Sequence, residues 1–528
     1  MDKPRVLISE RVAEEGLKLL QQELDVDNRD GISREELLSI IGEYDALVVR
    51  SVTQVDEELV EYGKNLKVVG RAGNGIDNID VEACTRKGII VVNTPDSNTI
   101  SAAEQTIGLL LSSIRNIPEA NGFLKGGKWD RKPFRGVELH GKTVGIVGLG
   151  RIGSMVAQRL GSFGMKVIAY DPYISDERFT RFGVEKQETL EELVKQADFI
   201  TVHTPRNEET MGIIGEKEFA LARDGVRVVN CARGGIISEK ALYDALKSGK
   251  VKSAGLDVYE DEPAINNPLF EFKNVVVTPH LGADTDEAQR RVGRDIAEQV
   301  IKALSGEIVP NVVNLPTILR QDLEFLRPFI VLSEAMGAVY YQVEKTSIDR
   351  IEMTFNGELA NMDHNILTIA FLKGLLTPVM SEKVNYVNAE LMAEDRGIKF
   401  FAKKGKSEKG YINSIKVSIF NHNTRLDLTG TITGTGEPVI VELNGYETDI
   451  MPVGYVVVAE NDDRPRVIGP FTSVFGDAGI NIAMMRVARK VKGDIALMVV
   501  NVDAPIDDAT LARLKAVDGI KRVRVLRF

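Results

Sequence analysis

The apolar positions of this chain fall into short, nearly unbroken runs. Between them lie longer stretches in which apolar residues recur every three or four places. Four such runs occupy residues 6–9 (VLIS), 46–50 (ALVVR), 67–70 (KVVG) and 89–93 (IIVVN). Runs rich in β-branched residues, without polar alternation, predict strands covered on both faces, and the helical spacing between them predicts crossover helices. A parallel α/β sheet is therefore expected here. A second series follows with six strand candidates: 143–147, 166–171, 199–203, 226–230, 253–257 and 274–278. After residue 279 a helical pattern over 286–306 leads to no new strand series, so the chain is expected to cross back to the first sheet.

Beyond residue 316 the texture changes to a segment containing Gly and Thr, with strand-like runs at 416–420 (KVSIF) and 438–442 (PVIVE). The stretch 453–528 then reads as strand, helix, strand, strand, helix, strand. Its strands begin at Tyr455, span 482–489 and 495–502, and end with 523–527; its helices run through 471–478 and 507–516.

At the head of the second series, Gly148-Leu-Gly150-Arg-Ile-Gly153 lies between an apolar run and a helical pattern. The first glycine permits a tight strand-to-helix turn, the second admits a pyrophosphate close to the backbone, and the third lets helix pack on strand. Asp171, at the end of the next strand, suits the ribose hydroxyls of NAD and would repel the 2′-phosphate of NADP. NAD is thus the expected cofactor.

Three later strand ends carry chemistry: Arg233 after the fourth, Glu262 after the fifth and His280 after the sixth. Taken singly, each has a plain structural role, as a helix cap, a solvated loop and a turn residue. Together, at successive strand ends beside a dinucleotide cradle, they suit oxidation of a 2-hydroxy acid. Arg233 offers a two-pronged cation for the substrate carboxylate. His280 is a base for the hydroxyl proton, and Glu262 fixes its tautomer. His203 is expected to line the cofactor cleft, and His140, His364 and His422 to be structural.

The net charge of −11 argues against nucleic acid or an anionic membrane as partner. The first residues lack a signal-peptide apolar stretch, and no run approaches the roughly 18 apolar residues of a membrane span, which points to the cytoplasm. Cys84 and Cys231 are too few for a structural metal site and are read as buried thiols, so no metal is expected.

Five stretches carry a resemblance: 71–80 (RAGNGIDNID), 148–153 (GLGRIG), 230–235 (NCARGG), 254–259 (AGLDVY) and 278–283 (TPHLGA). With these the chain resembles the D-isomer-specific 2-hydroxy acid dehydrogenases, and more narrowly their long, regulated phosphoglycerate dehydrogenase branch. The resemblance covers nearly all of residues 1–315. It implies a doubly wound Rossmann cofactor domain (99–283) inserted in a discontinuous, flavodoxin-like substrate domain (1–98 and 284–315). An intervening α+β domain (316–452) and an ACT domain (453–528) of βαββαβ form would follow. Arg233, Glu262 and His280 would be the catalytic trio. Cofactor contacts would fall on Asn74, Arg151, Ile152, Asp171, Thr204, Cys231, Ala232 and Asp257, beside the three glycines, Arg233 and His280. The reaction implied is NAD-dependent oxidation of D-3-phosphoglycerate to 3-phosphooxypyruvate, the opening step of serine biosynthesis.

A second anion site would favour that substrate. Residues 125–135 (KGGKWDRKPFR) carry five cations against one acid beside the only tryptophan, Trp129. Arg131, Lys132 and Arg135 are therefore expected near a substrate phosphate with Arg50, Ser51, Arg71, Asn74 and Gly75. In the resembling enzymes some of these cations come from a neighbouring subunit, which implies a homodimer or homotetramer. The ACT-like tail implies L-serine as effector, with Asn481 in contact. Arg466 stands where a glycine is usual, and Glu460 lies near where a serine-contacting histidine is often found. The alternatives are another 2-hydroxy acid such as glycerate or 2-hydroxyglutarate, a non-enzymatic NAD-sensing protein, and a tail that only dimerises.

Overall fold

The computed structural model describes residues 3–316, 320–344, 346–406, 410–422 and 424–528. The first sheet has five parallel strands in the order Asp25–Asn28, Arg5–Ile8, Ala46–Val49, Val68–Arg71, Ile90–Asn93. This 2-1-3-4-5 order is the flavodoxin-like one. The edge strand Asp25–Asn28, half-exposed and wholly polar but for Val26, lies outside the four sequence-predicted strands.

The second sheet is also parallel, with seven strands rather than six. They run Val275–Val277, Val251–Leu256, Val226–Asn230, Phe199–Val202, Thr143–Val147, Lys166–Tyr170, Glu185–Lys186. The order reverses between Thr143–Val147 and Phe199–Val202, so the crevice of a doubly wound sheet opens there.

Two long helices carry the chain between these units. Helix Thr99–Arg115 packs on strands of the seven-stranded sheet, with Leu109 against Gly255. Helix Asp286–Leu304 returns to the five-stranded sheet and buries Val292, Ile296, Ala297 and Val300 there. Its first turn is capped by the Thr285 hydroxyl, which accepts from Ala288 N at 3.3 Å. A Cβ at Gly16 would lie 2.2 Å from the Gly293 carbonyl oxygen, so this helix crosses Glu14–Glu23 glycine against glycine. Where the two crossings meet, Ser97 donates to Asp295 at 2.6 Å and the hydroxyls of Ser101 and Thr285 lie 2.7 Å apart.

The following unit packs helices Arg320–Val343 and Asn365–Leu376 on a mixed six-stranded sheet spanning Arg350–Ile450. The C-terminal sheet is antiparallel, in the order Ile482–Arg489, Ile495–Val502, Tyr455–Asp462, Ile520–Arg527. One face, with Val457, Ala459, Met498 and Val500, is covered by helices Ile468–Asp477 and Asp508–Ala516. The other face, with Val456, Val458, Leu497, Val499 and Leu526, belongs to the core of the preceding unit. Cys84 and Cys231 are free and buried. Among the described residues no helix is long and apolar enough to cross a membrane, and no cluster of His, Cys, Asp or Glu could hold a metal.

Candidate active site

Loops at the C-terminal ends of both sheets face each other across the crevice. After strand Val226–Asn230, the Asn230 side chain shapes the turn by donating to Arg233 O at 2.8 Å and accepting from Ala232 N at 3.0 Å. This turn delivers Arg233, whose Nε donates to Asp77 of the other domain at 3.1 Å. Asp77 was not expected from sequence, although it lies within the 71–80 stretch. A Cβ at Gly75 would come 2.2 Å from Arg233 Nη2, so a glycine is what lets the guanidinium lie against that backbone.

His280 Nδ1 pairs with Glu262 Oε2 at 2.7 Å. Burial pushes the Glu262 carboxyl up. The hydrogen bond and charge of His280, the Tyr259 amide and the Arg233 charge outweigh that and hold it below its ordinary value. His280 adopts a left-handed backbone with φ 55°, and Asp257 holds it there. The Asp257 carbonyl accepts from His280 N at 2.9 Å, and its carboxylate accepts from Leu281 N at 2.8 Å and Gly282 N at 2.7 Å. Asp257, the expected cofactor contact, is fully enclosed in this structure, with Thr278 also donating to it at 2.5 Å. In this structure it anchors the histidine loop.

Arg50, Ser51, Arg71, Asn74, Gly75, Arg233, Glu262 and His280 all line one cavity of about 650 Å3. Burial pushes the Arg71 guanidinium down to about 10. The charge of Glu10 works against this, while Arg233 and Arg50 reinforce it. Arg71 thus remains cationic at neutral pH, and its buried Nε has no partner. Three converging guanidiniums with an unsatisfied donor make a site that an anion would relieve.

A second cavity of about 400 Å3 adjoins the first, lined by Asn74, Arg151, Ile152, His203, Thr204, Cys231, Ala232, Arg233 and His280. Gly148 has φ 91°, and a Cβ there would sit 2.8 Å from the His203 carbonyl oxygen. One at Gly153 would sit 2.1 Å from Gly148 O, whereas the surface over Gly150 is open. The glycines thus divide their tasks as the motif predicts: a turn, an open approach, and helix against strand. Asp171, just past strand Lys166–Tyr170, accepts from Leu149 N at 2.9 Å and Tyr173 N at 3.1 Å. Thr204 Oγ1, His203 Nδ1 and Asn98 Oδ1 are buried without partners, as befits a cleft that takes a polar ligand. Burial pushes His203 down to about 4, so its ring is neutral. Burial pushes the Cys231 thiol up, so it stays protonated. Arg206, missed in the sequence, lines both cavities. Asp96, also missed, pairs with Arg151 at 2.6 Å.

Arg131, Lys132 and Arg135 line neither cavity of this chain. They lie beyond helix Ile117–Lys125, which buries none of its residues, beside a Trp129 that is 83% exposed. In the C-terminal unit Asn481 donates to Asp503 at 2.7 Å. The strand register places Glu460 at the opposite end of that sheet from Asn481, next to Arg522 and the preceding unit, so within one chain the two do not meet. Arg466 takes φ 68°, a conformation that costs glycine nothing, which accounts for the family preference there.

The model for the D-isomer specific 2-hydroxyacid dehydrogenase NAD binding domain matches residues 107–282. The D-3-phosphoglycerate dehydrogenase intervening domain matches 325–444, and the ACT domain 455–519. D-3-phosphoglycerate dehydrogenase of Methanocaldococcus jannaschii is 45% identical over 99% of this chain and all of its own length. That of Bacillus subtilis is 40% identical over 99% of both. Among solved structures, D-lactate dehydrogenase of Aquifex aeolicus complexed with NAD and lactic acid aligns with 59% of this chain and all of its own. It does so at TM-score 0.53 and 29% identity. Holo D-mandelate dehydrogenase of Rhodotorula graminis aligns with 59% of this chain and 98% of its own, at TM-score 0.55 and 28% identity. With three domain models matched in order and relatives 40–45% identical over nearly its whole length, the chain belongs to the D-3-phosphoglycerate dehydrogenase family of NAD-binding 2-hydroxyacid dehydrogenases.

Proposed function

We propose that this protein oxidises D-3-phosphoglycerate to 3-phosphooxypyruvate with NAD. The observation that carries this reading is the meeting of Arg50, Arg71 and Arg233 in one cleft with the His280–Glu262 pair. A substrate with an anion at each end matches that charge; lactate or glycerate would leave part of it uncompensated. The trio and the contacts assigned above to substrate and cofactor are part of the proposal, with domain limits at 1–98 and 284–315, 99–283, 316–452 and 453–528.

Bound in the second cavity, NAD supplies the acceptor for the hydride leaving C2 of the substrate. Arg233 holds the substrate carboxylate and so fixes which face of C2 is presented. With Nδ1 committed to Glu262, His280 takes the hydroxyl proton on Nε2. Glu262 stabilises the imidazolium that results. Arg50 and Arg71 face the phosphate end, and Arg131, Lys132 and Arg135 reach it from a second subunit. The exposed apolar surface of Ile117, Leu124 and Trp129 supports a homodimer through that arm. The ACT domain is the natural seat for L-serine as end-product effector, contacted by Asn481.

The test is NADH formation from D-3-phosphoglycerate, glycerate, D-lactate and D-2-hydroxyglutarate. Phosphoglycerate should lead glycerate and D-lactate in kcat/KM by at least about tenfold, since a buried charged group left unpaired is costly, and should also exceed D-2-hydroxyglutarate, whose second anion is a planar carboxylate with a single charge. A higher value for any of the others would overturn the assignment.

A further inference from the structure

At the open end of the five-stranded sheet, the loop after strand Ala46–Val49 carries Arg50 and Ser51, and a side chain grips it on each side. Glu10, in the loop just past strand Arg5–Ile8, accepts from Arg50 N at 2.9 Å and Thr53 N at 2.9 Å through Oε1, and from Val52 N at 3.1 Å through Oε2. Asn78 donates through Nδ2 to Arg50 O at 2.9 Å and Thr53 O at 2.6 Å. Amides are thus taken by one side chain and carbonyls by the other, and the loop has little freedom left. The buried Ser9 hydroxyl adds a contact to Thr53 Oγ1 at 2.8 Å.

The grip also joins neighbouring loops. Asn78 follows Asn74, Gly75 and Asp77 in the loop after strand Val68–Arg71. Its backbone continues the union, since Val55 N donates to Asn78 O and Asp80 N to Val55 O, each at 2.8 Å. Three strand-end loops are thereby tied into one piece facing the cavity. Glu10 is also the charge that most favours the buried Arg71 cation. Neither Glu10 nor Asn78 is needed for chemistry: Glu10 lies behind the cavity wall, and Asn78 reaches that wall with its side-chain amide committed to the Arg50 and Thr53 carbonyls.

We propose that Glu10 and Asn78 are positioning residues that set the Arg50–Ser51 loop, and with it Arg71, for the phosphate end of the substrate. This rests on the phosphoglycerate reading above. In Glu10→Gln one carboxylate oxygen becomes an NH2 facing an amide donor, so the loop loses part of its grip and the charge beside Arg71 disappears. Outer partners that orient metal ligands change affinity by about 10–100-fold when lost, and an effect of the same order is expected for a side chain that orients anion-binding cations. KM for phosphoglycerate should therefore rise by at least about tenfold, while kcat stays within about threefold and NADH affinity is unchanged. Slow turnover of glycerate, which has no phosphate, should be spared.

Asn78→Ala, which frees the carbonyl side, should reproduce the split, and the double variant should lose less than the product of the two. Asn78→Ala also serves if Glu10→Gln does not fold. The measurement is steady-state NADH formation by the full chain on both substrates. A KM unchanged within twofold, equal losses on phosphoglycerate and glycerate, or fully multiplicative losses in the double variant would overturn the positioning role. Failure of the unmodified protein to oxidise phosphoglycerate would instead overturn the functional reading itself.

Discussion

Gly234 offers the sharpest test of how the strand-end loops set the active site. A Cβ there would lie 1.7 Å from the carbonyl oxygen of Tyr259 and 2.0 Å from its carbon. Both neighbours are backbone, so no side chain can swing away. Real Cβ atoms essentially never approach closer than 3.0 Å, so Gly234→Ala must part the two loops by about 1.3 Å. One loop carries Arg233 and the other leads to Glu262, the partner of His280. Misplacement of about 1 Å between substrate-holding and proton-accepting groups costs about 100-fold in rate. Gly234→Ala should thus lower kcat/KM for phosphoglycerate by about 100-fold, and overpacking should cost about 1–3 kcal/mol of stability. NADH binding, monitored by fluorescence, should change far less. Gly108→Ala, in open space on helix Thr99–Arg115, is the control and should retain full activity. Retention of kcat/KM within threefold in Gly234→Ala would refute the claim that this backbone contact sets the geometry.

Asp171→Ala should shrink the preference for NAD over NADP by removing a like charge from the 2′-phosphate position, as read from kcat/KM with each cofactor. His280→Asn should abolish most turnover and leave the NADH dissociation constant nearly unaltered, because the ring acts on the proton. Burial pushes the Glu10 carboxyl up, but the three amides that donate to it outweigh this and hold it below 4.5. A depressed carboxyl stabilises the fold above its unfolded value and loses that contribution as pH falls, so the melting-temperature gap between the unmodified protein and Glu10→Gln should narrow below about pH 4.5. Asn481→Ala in the full chain should weaken inhibition by L-serine without altering uninhibited turnover, measured by titrating serine in the NADH assay.

Much of the catalytic half was legible in the sequence because parallel strands buried on both faces leave unbroken apolar runs, and chemistry collects at their ends. The exceptions share one cause. Asp25–Asn28 and Glu185–Lys186 are sheet edges, and neither carries an apolar run. The intervening unit was harder still. Helix Asn365–Leu376 buries ten of its twelve residues, so it shows no amphipathic period. The trio could be read from strand ends, and the structure brings it together with Arg50 and Arg71. Glu10 and Asp77 escaped notice because their partners, backbone amides and a guanidinium on another domain, are distant in the chain. Asp257, read from sequence as a cofactor contact, also anchors the histidine loop, a role that depends on which way a carboxylate turns.

The two faces of the C-terminal sheet bear on how this enzyme could be taken apart. An ACT module cut at residue 453 would carry Val456, Val458, Leu497, Val499 and Leu526 into water as one apolar surface, bare of the core that now covers it. Such a fragment would tend to self-associate, and grafting it alone onto another enzyme would carry that liability along. The transplantable piece is the pair of C-terminal units together, severed near residue 316. They meet the substrate domain through contacts such as Asn385 Nδ2 to Gly88 O at 2.5 Å and Val387, which is buried in that domain's core. Shuffling of these C-terminal units between catalytic halves, in a laboratory or over evolutionary time, should therefore proceed by the pair.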